Sequence, residues 1–296
     1  MNIKELSRNW LIKHPRINPY NFSLNGSFRT LTIPLRLVPD FLIIGFHKTA
    51  TTSLYDYLIQ HPNIGSATHK EIHFFDTYFW RGMGWYKTHF PTKMEKNKIE
   101  KISNQKFITG EATPNYVFYP NAHNRVKQSL PHSKFIVILR NPIDRAYSHY
   151  NYQKKLNRGE LENTTFEEII DDELKKMNFD GFEEEFQRNF HLKNDRIPYV
   201  HLGIYVKFLK KWLEIFPKEQ FHFVITEELQ QDPNSIINKV FNFLDLKNYN
   251  IPDLQKRNTT KYSDMKIETR KMLYEFYKPH NDELEKLLSM KFKWTD

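Results

Sequence analysis

The stretch from Phe41 to Leu58, FLIIGFHKTATTSLYDYL, decides how the chain is read. FLIIG is a short, unbroken apolar run, the pattern of a strand buried on both faces in a parallel sheet, and TTSLYDYLIQH continues with apolar residues at helical spacing. Between them, GFHKTATTS has the make-up of a phosphate loop: Gly45 for a turn, Lys48 for charge, and Thr49, Thr51 and Thr52 as hydroxyl donors where the helix begins. Backbone N–H groups at such a helix start face an anion, and the helix dipole adds to the attraction. The Walker pattern GxxxxGK[ST] is not met, because His47 rather than glycine precedes Lys48. The Walker loop wraps a β-phosphate and holds Mg²⁺ through the hydroxyl after its lysine; a shorter loop suits a compact 5′-phosphate without a metal.

The strand, loop, helix unit recurs. SKFIVIL, ending at Leu139, is a second buried strand, and NPIDRAYSHYNYQKK begins a helix with Asn141 as cap and Pro142 in the first helical position. A third strand is expected at QFHFVIT, between the amphipathic segments YVKFLKKWLEIF and SIINKVFNFLDL. Strands alternating with helices predict an α/β fold, P-loop-like and three-layered, with a central parallel sheet flanked by helices. ELENTTFEEIIDDELKKMNFDGFEEEFQRNF is acidic and helical in pattern; it reads as an insertion outside the sheet whose carboxylates form a solvated face. No Gly- or Ser-rich linker divides the chain, so residues 1–38 are expected to be an amino-terminal extension packed on one domain spanning 39–296.

Composition narrows the function classes. A chain of 296 residues with 39% hydrophobic content can build a sizeable core. Lys+Arg number 44 against 35 Asp+Glu, which favours a phosphorylated or polyanionic partner without bearing on fold. The absence of cysteine excludes disulfides, cysteine-ligated zinc and thiol nucleophiles. No apolar run approaches the ~20 residues needed to span a bilayer, and the polar, proline-broken start lacks the pattern of a signal peptide, so a cytoplasmic location is expected. His123, His132 and the other histidines show no metal-ligand spacing, and no metal is expected.

Arg140 stands at the carboxyl end of the second strand and Ser148 on the helix after it. Ligands of open α/β sheets bind at that edge, so the pair is suited to grip a second phosphate. GFHKTATTSLYDYL together with ILRNPIDRAYSHY resembles the 5′-phosphosulfate loop and the 3′-phosphate motif of sulfotransferases that use 3′-phosphoadenosine 5′-phosphosulfate (PAPS). The resemblance implies that Lys48, Thr49, Ala50, Thr51 and Thr52 bind the 5′ end of this co-substrate, that Arg140 and Ser148 bind its 3′-phosphate, and that no metal is needed. Four further segments resemble the heparan sulfate sulfotransferase branch and its soluble bacterial relatives: HKEIHFFDTYFWRGMGWYKTHFP from His69, GEATPNYVFYP, GIYVKFLKKWLEIFPKEQFHFVITEEL, and NTTKYSDMKIETRKMLYEFYKPHNDELEKLL. The likeness runs from about residue 38 to the end. In the last donor-binding loop the branch usually carries a Gly-Arg pair; here Thr259 and Thr260 precede Lys261 and Tyr262, so Thr260, Lys261 and Tyr262 are the expected contacts. The membrane anchor and cysteine pair of the animal Golgi enzymes are not found in this sequence.

Sulfuryl transfer needs an acceptor aimed in line at sulfur, a base for its proton and cations for the charge on the departing phosphate oxygen. Lys48 fits the last role. The resemblance makes Glu71 the base, with His73, two residues on, as the alternative. Lys70, Asp76 and Trp85 are candidate acceptor contacts, whereas Phe74, Phe75 and Tyr205 read as packing residues. The expected acceptor is a hydroxyl or amine of a carbohydrate-like molecule rather than nucleic acid. Two other readings stay open on the residues alone: a P-loop nucleotide kinase, with Glu227 or Glu228 after the third strand as metal ligand, and a non-catalytic polyanion-binding module.

Overall fold

A computed structural model describes residues 24–156, 164–176, 198–254 and 263–294. Five strands, β1 (Phe41–Gly45), β2 (Ile64–Ser66), β3 (Ile108–Ala112), β4 (Lys134–Leu139) and β5 (Phe221–Ile225), form one sheet. The order is β2-β3-β1-β4-β5 and every pairing is parallel, with Phe41 beside Gly110 on one side and Lys134 on the other. The helices described are α1 (Leu24–Leu31), α2 (Thr51–Leu58), α3 (Gly82–Lys87), α4 (Lys93–Ser103), α5 (Ala122–Ser129), α6 (Pro142–Lys155), α7 (Phe166–Lys176), α8 (Tyr205–Ile215), α9 (Thr226–Gln231), α10 (Pro233–Phe243) and α11 (Ile267–Leu288). None of the helices described is long and apolar enough to cross a membrane.

The period of two along each strand divides the core into two layers. Leu42, Ile44, Phe135, Val137 and Leu139 face α5, α6, α8 and α11, packing with Trp212, Leu209 and Tyr277. Phe41, Ile43, Ile136 and Ile138 face the other way, onto Leu54 and Leu58 of α2 and Ile237, Val240 and Phe241 of α10. Each such side chain contributes about 1.5–3 kcal/mol by leaving water. The three-layer arrangement expected from the alternating strands and helices is what the structure shows.

Three local features differ from the sequence reading. Residues 24–38, part of the stretch read only as an extension with no element assigned to it, include α1 and lie along the segment before α4: the Arg29 guanidinium donates to the Thr88 carbonyl (2.8 Å), that of Arg36 to Phe90 (2.6 Å), and the Leu37 N–H to Pro91 (2.9 Å). Glu173 of the acidic segment is not part of a solvated face. Its carboxylate turns inward and accepts from the N–H groups of Tyr199, Val200 and His201 at 2.8–3.0 Å, and burial raises its pKa. Gly45, read as a turn former, has a steric reason instead: a Cβ there would lie 2.5 Å from Cγ1 of Val117.

From β1 the chain crosses toward β3 and β2, and from β4 toward β5, so the loops leaving the adjacent strands β1 and β4 diverge and open a crevice at their carboxyl ends. Gly45 lies at the end of β1 on that rim, where the register with β4 shifts. Val117 is β-branched and stiff, so Gly45→Ala overpacks the site. A loss of about 1–3 kcal/mol is expected, read as a lower urea midpoint at unchanged slope.

Candidate active site

The loop after β1 is held by its own chain and by β5. The Thr49 hydroxyl donates to the Phe46 carbonyl (2.7 Å), and the Thr226 hydroxyl, where β5 meets α9, lies 2.9 Å from both the Thr49 and Leu139 carbonyls. Thr49 therefore offers a ligand its backbone rather than its hydroxyl, a correction to the expected donor set. Lys48 and Ala50 adopt left-handed backbone, φ 64° and 70°, and Ala50 stands directly before α2. Non-glycine residues hold that conformation at a cost, and such residues cluster at ligand-binding turns. Thr51 is buried and Thr52 half-buried in the first turn of α2.

The second turn meets the first directly. Nη1 of Arg140, just after β4, donates to the Lys48 carbonyl at 3.1 Å. Among the described residues that carbonyl is its one hydrogen-bond partner, which leaves the other guanidinium N–H groups for a ligand. Asn141 caps α6 through the Ile143 N–H (3.0 Å), Pro142 follows it as expected, and the Asn141 N–H is taken by Glu227 (2.9 Å). Tyr205 does more than pack: its ring lies 4.4 Å from Phe46 and its hydroxyl donates to the Arg140 carbonyl (2.8 Å). The Lys48 ammonium sits 3.8 Å above the Tyr152 ring. Ser148 is one turn before Tyr152 on α6, hence on the same helix face. Burial, followed by Arg140, Lys70 and Lys155, lowers the Lys48 pKa to about 8. Positive charges crowd here.

Across the crevice, Glu71 and His73 lie in a turn tied to the end of β3 by Glu71 N–H donating to Ala112 (3.0 Å). Both have left-handed backbone, φ 62° and 56°. The Lys70 ammonium lies 2.5 Å from one Glu71 oxygen and His73 Nε2 3.8 Å from the other. Burial pushes the Glu71 carboxyl up, but Lys70, His47 and His73 outweigh it and hold its pKa below the ordinary carboxylate value. For His73 burial acts downward and is outweighed by Asp76, Glu71 and Glu111, so its pKa rises. Asp76, expected at the acceptor cleft, is buried, with its carboxylate engaged by His73 Nδ1 (2.7 Å) and the Thr77 N–H (2.6 Å); its observed contacts fix the imidazole. Trp85 is half-buried, against His89, Arg81 and Phe74. Phe74 and Phe75 are buried core residues, as read.

Sequence reasoning missed three participants. His47 Nε2 bonds Asn115 Oδ1, and burial lowers its pKa to about 4, so the imidazole is neutral and donates to the amide oxygen. Thr226 lies 177 residues from the loop carbonyl it binds. Glu111 is fully buried and accepts from the hydroxyls of Tyr86 (2.6 Å), Tyr116 (2.9 Å) and Thr113 (2.7 Å), while the Tyr116 oxygen accepts the Phe74 N–H (2.9 Å). That network underpins the Glu71–His73 turn. Only the segment GEATPNY hinted at it. Thr260, Lys261 and Tyr262 lie outside the described residues; Ser263, next to them, accepts the Tyr147 hydroxyl of α6 at 2.9 Å.

The sulfotransferase domain family matches residues 38–273, and the chain belongs to that family. It is 30% identical over 212 residues to heparan sulfate glucosamine 3-O-sulfotransferase 6 of Homo sapiens, covering 72% of this chain and 54% of that protein. It is 29% identical over 286 residues to bifunctional heparan sulfate N-deacetylase/N-sulfotransferase 3 of Homo sapiens, with 85% of this chain and 30% of that protein covered. The chain thus spans about half or less of these relatives' length. A crystal structure of a sulfotransferase from Alicyclobacillus acidocaldarius superposes with a TM-score of 0.63 at 27% identity, over 86% of this chain and 98% of that one. The resemblance to the heparan sulfate branch is met, and the family assignment removes the nucleotide-kinase alternative.

The buried Glu111 network is testable apart from activity. Glu111→Leu strands three hydroxyls and is expected to cost about 2–4 kcal/mol in chemical denaturation, while Glu111→Gln, which keeps an acceptor oxygen, loses less than half as much.

Proposed function

We propose that the chain transfers a sulfuryl group from PAPS to a hydroxyl or amine of a carbohydrate acceptor. The observation that carries this reading is the hydrogen bond from Arg140 to the Lys48 carbonyl, which joins two anion-seeking turns into one site with Lys48, Arg140, Lys70 and Lys155 around it. Among the described residues, Lys48, Arg140, Lys70 and Lys155 form a cluster in which Glu71 is ion-paired to Lys70, and the remaining positive charge suits a ligand with more than one phosphate. The described residues suit the co-substrate, with Lys48, Thr49, Ala50, Thr51 and Thr52 for its 5′ end and Arg140 and Ser148 for its 3′-phosphate; Thr260, Lys261 and Tyr262 are proposed as further contacts on the sequence resemblance alone. The carbohydrate acceptor is supported by what the relatives' names state of those proteins, and Lys70 and Trp85 are the side chains we propose for its contacts.

In this mechanism PAPS supplies an activated sulfur whose bond to the 5′-phosphate oxygen breaks as the acceptor oxygen or nitrogen bonds to it. Glu71 takes the acceptor's proton. Lys48 meets the charge gathering on the departing phosphate oxygen, and Arg140 holds the loop that carries Lys48. Asp76 orients His73, and His73 faces the second oxygen of Glu71. A carboxyl held below its ordinary pKa is ionised near neutral pH and can accept a proton there, whereas Asp76 and Glu71 raise the His73 pKa and so favour its protonated form; on that ground we assign the base role to Glu71.

Binding and transfer test the reading together. Adenosine 3′,5′-bisphosphate is expected to raise the melting temperature while ATP with Mg²⁺ does not. Labelled PAPS is expected to sulfate a glycan panel, with Lys48→Ala slower by about 10²–10³-fold. Melting shifts from both nucleotides alike, or wild-type turnover in Lys48→Ala, contradicts it. A non-catalytic module would bind without transferring.

The pH profile of kcat/KM separates the two candidate bases. With Glu71 as base, activity is kept until pH falls below the ordinary carboxylate value of 4.5; with His73 it would already be lost above 6.5. Activity also requires Lys48 protonated, so it falls as pH rises through about 8.

A further inference from the structure

The side chain that meets the Lys48 ammonium is an aromatic ring. Tyr152 lies in the penultimate turn of α6, one helical turn beyond Ser148, and its ring face is 3.8 Å from Lys48 Nζ. Burial lowers the Lys48 pKa most, followed by three cations: Arg140 at the end of β4, Lys70 in the loop before Glu71 and ion-paired to it, and Lys155 in the last turn of α6. His149, buried on α6, is held well below its ordinary pKa by desolvation, then Arg145, His47 and Lys48, and so is neutral. Repulsion from three cations would drive a flexible four-carbon side chain out toward solvent. The negative face of an aromatic ring is the stabilising partner the structure offers in their place.

We infer that Tyr152 is a positioning residue: its ring face parks the Lys48 ammonium inside the crevice, protonated and aimed along the loop, before the donor binds. A carboxylate in the same place would neutralise Lys48 and compete with the donor's phosphate. A ring stabilises the cation without consuming its charge or its N–H donors, so the ammonium can turn to the leaving phosphate oxygen. The role needs the ring and not the hydroxyl. The inference rests on the reading of Lys48 as the cation at the leaving group, yet it concerns a contact that exists without substrate.

Two variants separate ring from hydroxyl. In Tyr152→Leu the ring is lost from a partly exposed position; in Tyr152→Phe it is kept. The direct readout is the pH dependence of Lys48 labelling by an amine-selective reagent, followed by mass spectrometry on the full chain, which requires no turnover. Tyr152→Leu is expected to lower the Lys48 pKa by roughly half a unit or more, and Tyr152→Phe to restore it. In PAPS-dependent transfer, Tyr152→Leu should reduce kcat about tenfold with KM for PAPS changed less than about threefold, and its alkaline limb should move to lower pH; Phe should recover kcat to within about twofold. An unshifted Lys48 titration in Tyr152→Leu overturns the inference, as does a Phe variant as impaired as Leu, which would make the hydroxyl the working group. If wild-type protein transfers no sulfate but the labelling shift is seen, the functional reading fails and the positioning contact stands.

Discussion

The site depends on unbalanced positive charge held in place at the diverging point of a parallel sheet. Burial, joined by Arg140, Lys70 and Lys155, lowers the Lys48 pKa, and the guanidinium of Arg140 bonds the carbonyl of Lys48 itself. Like charges at such range repel, and the repulsion weakens only when an anion arrives. Folding the rest of the domain supplies the energy to hold them: two apolar layers around β1 and β4 fix where the two loops start, and Thr226, Tyr205 and Asn141 fix how they leave. The crevice is thereby preorganised for the bis-phosphorylated donor proposed above.

Backbone strain follows the same geography. Lys48 and Ala50 in one turn, and Glu71 and His73 in the turn opposite, all take left-handed backbone without being glycine. Two networks over-determine these conformations. One runs from Thr226 through the Thr49 carbonyl to the loop; the other runs from buried Glu111 through Tyr116 to the Phe74 N–H, with Asp76 fixing His73. Side chains aimed from strained turns are placed with less freedom than side chains on a relaxed loop, which is what the proposed in-line transfer demands of its cation and its base.

Much of this was legible in the sequence, and the parts that were not have definable reasons. FLIIG, KFIVIL and FHFVI stood out as strands because their short runs are almost wholly apolar, the usual pattern of a strand covered by helices. ITGEA did not, although it is buried along its whole length. Its polar residues find partners inside the fold, the Thr109 hydroxyl on the Gly65 carbonyl and Glu111 on three hydroxyls, one of them from distant Tyr86, while the Phe41 ring beside Gly110 leaves no room for a Cβ. The three-residue edge strand β2 is too short to carry a period. Lys48 and Arg140 were visible as motif positions. What their neighbours do was not, since the inward turn of the Thr49 hydroxyl, the commitment of Asp76 to His73 and the ring of Tyr152 over Lys48 arise only when separate segments meet.

The most direct measurement is a crystal structure of the protein with adenosine 3′,5′-bisphosphate. The account predicts the 5′-phosphate on the N–H groups of residues 48–52 beside the Lys48 ammonium, and the 3′-phosphate on Arg140 and Ser148, with the crevice between β1 and β4 open toward Glu71. A nucleotide bound elsewhere, or one whose 3′-phosphate faces away from Arg140, would contradict it.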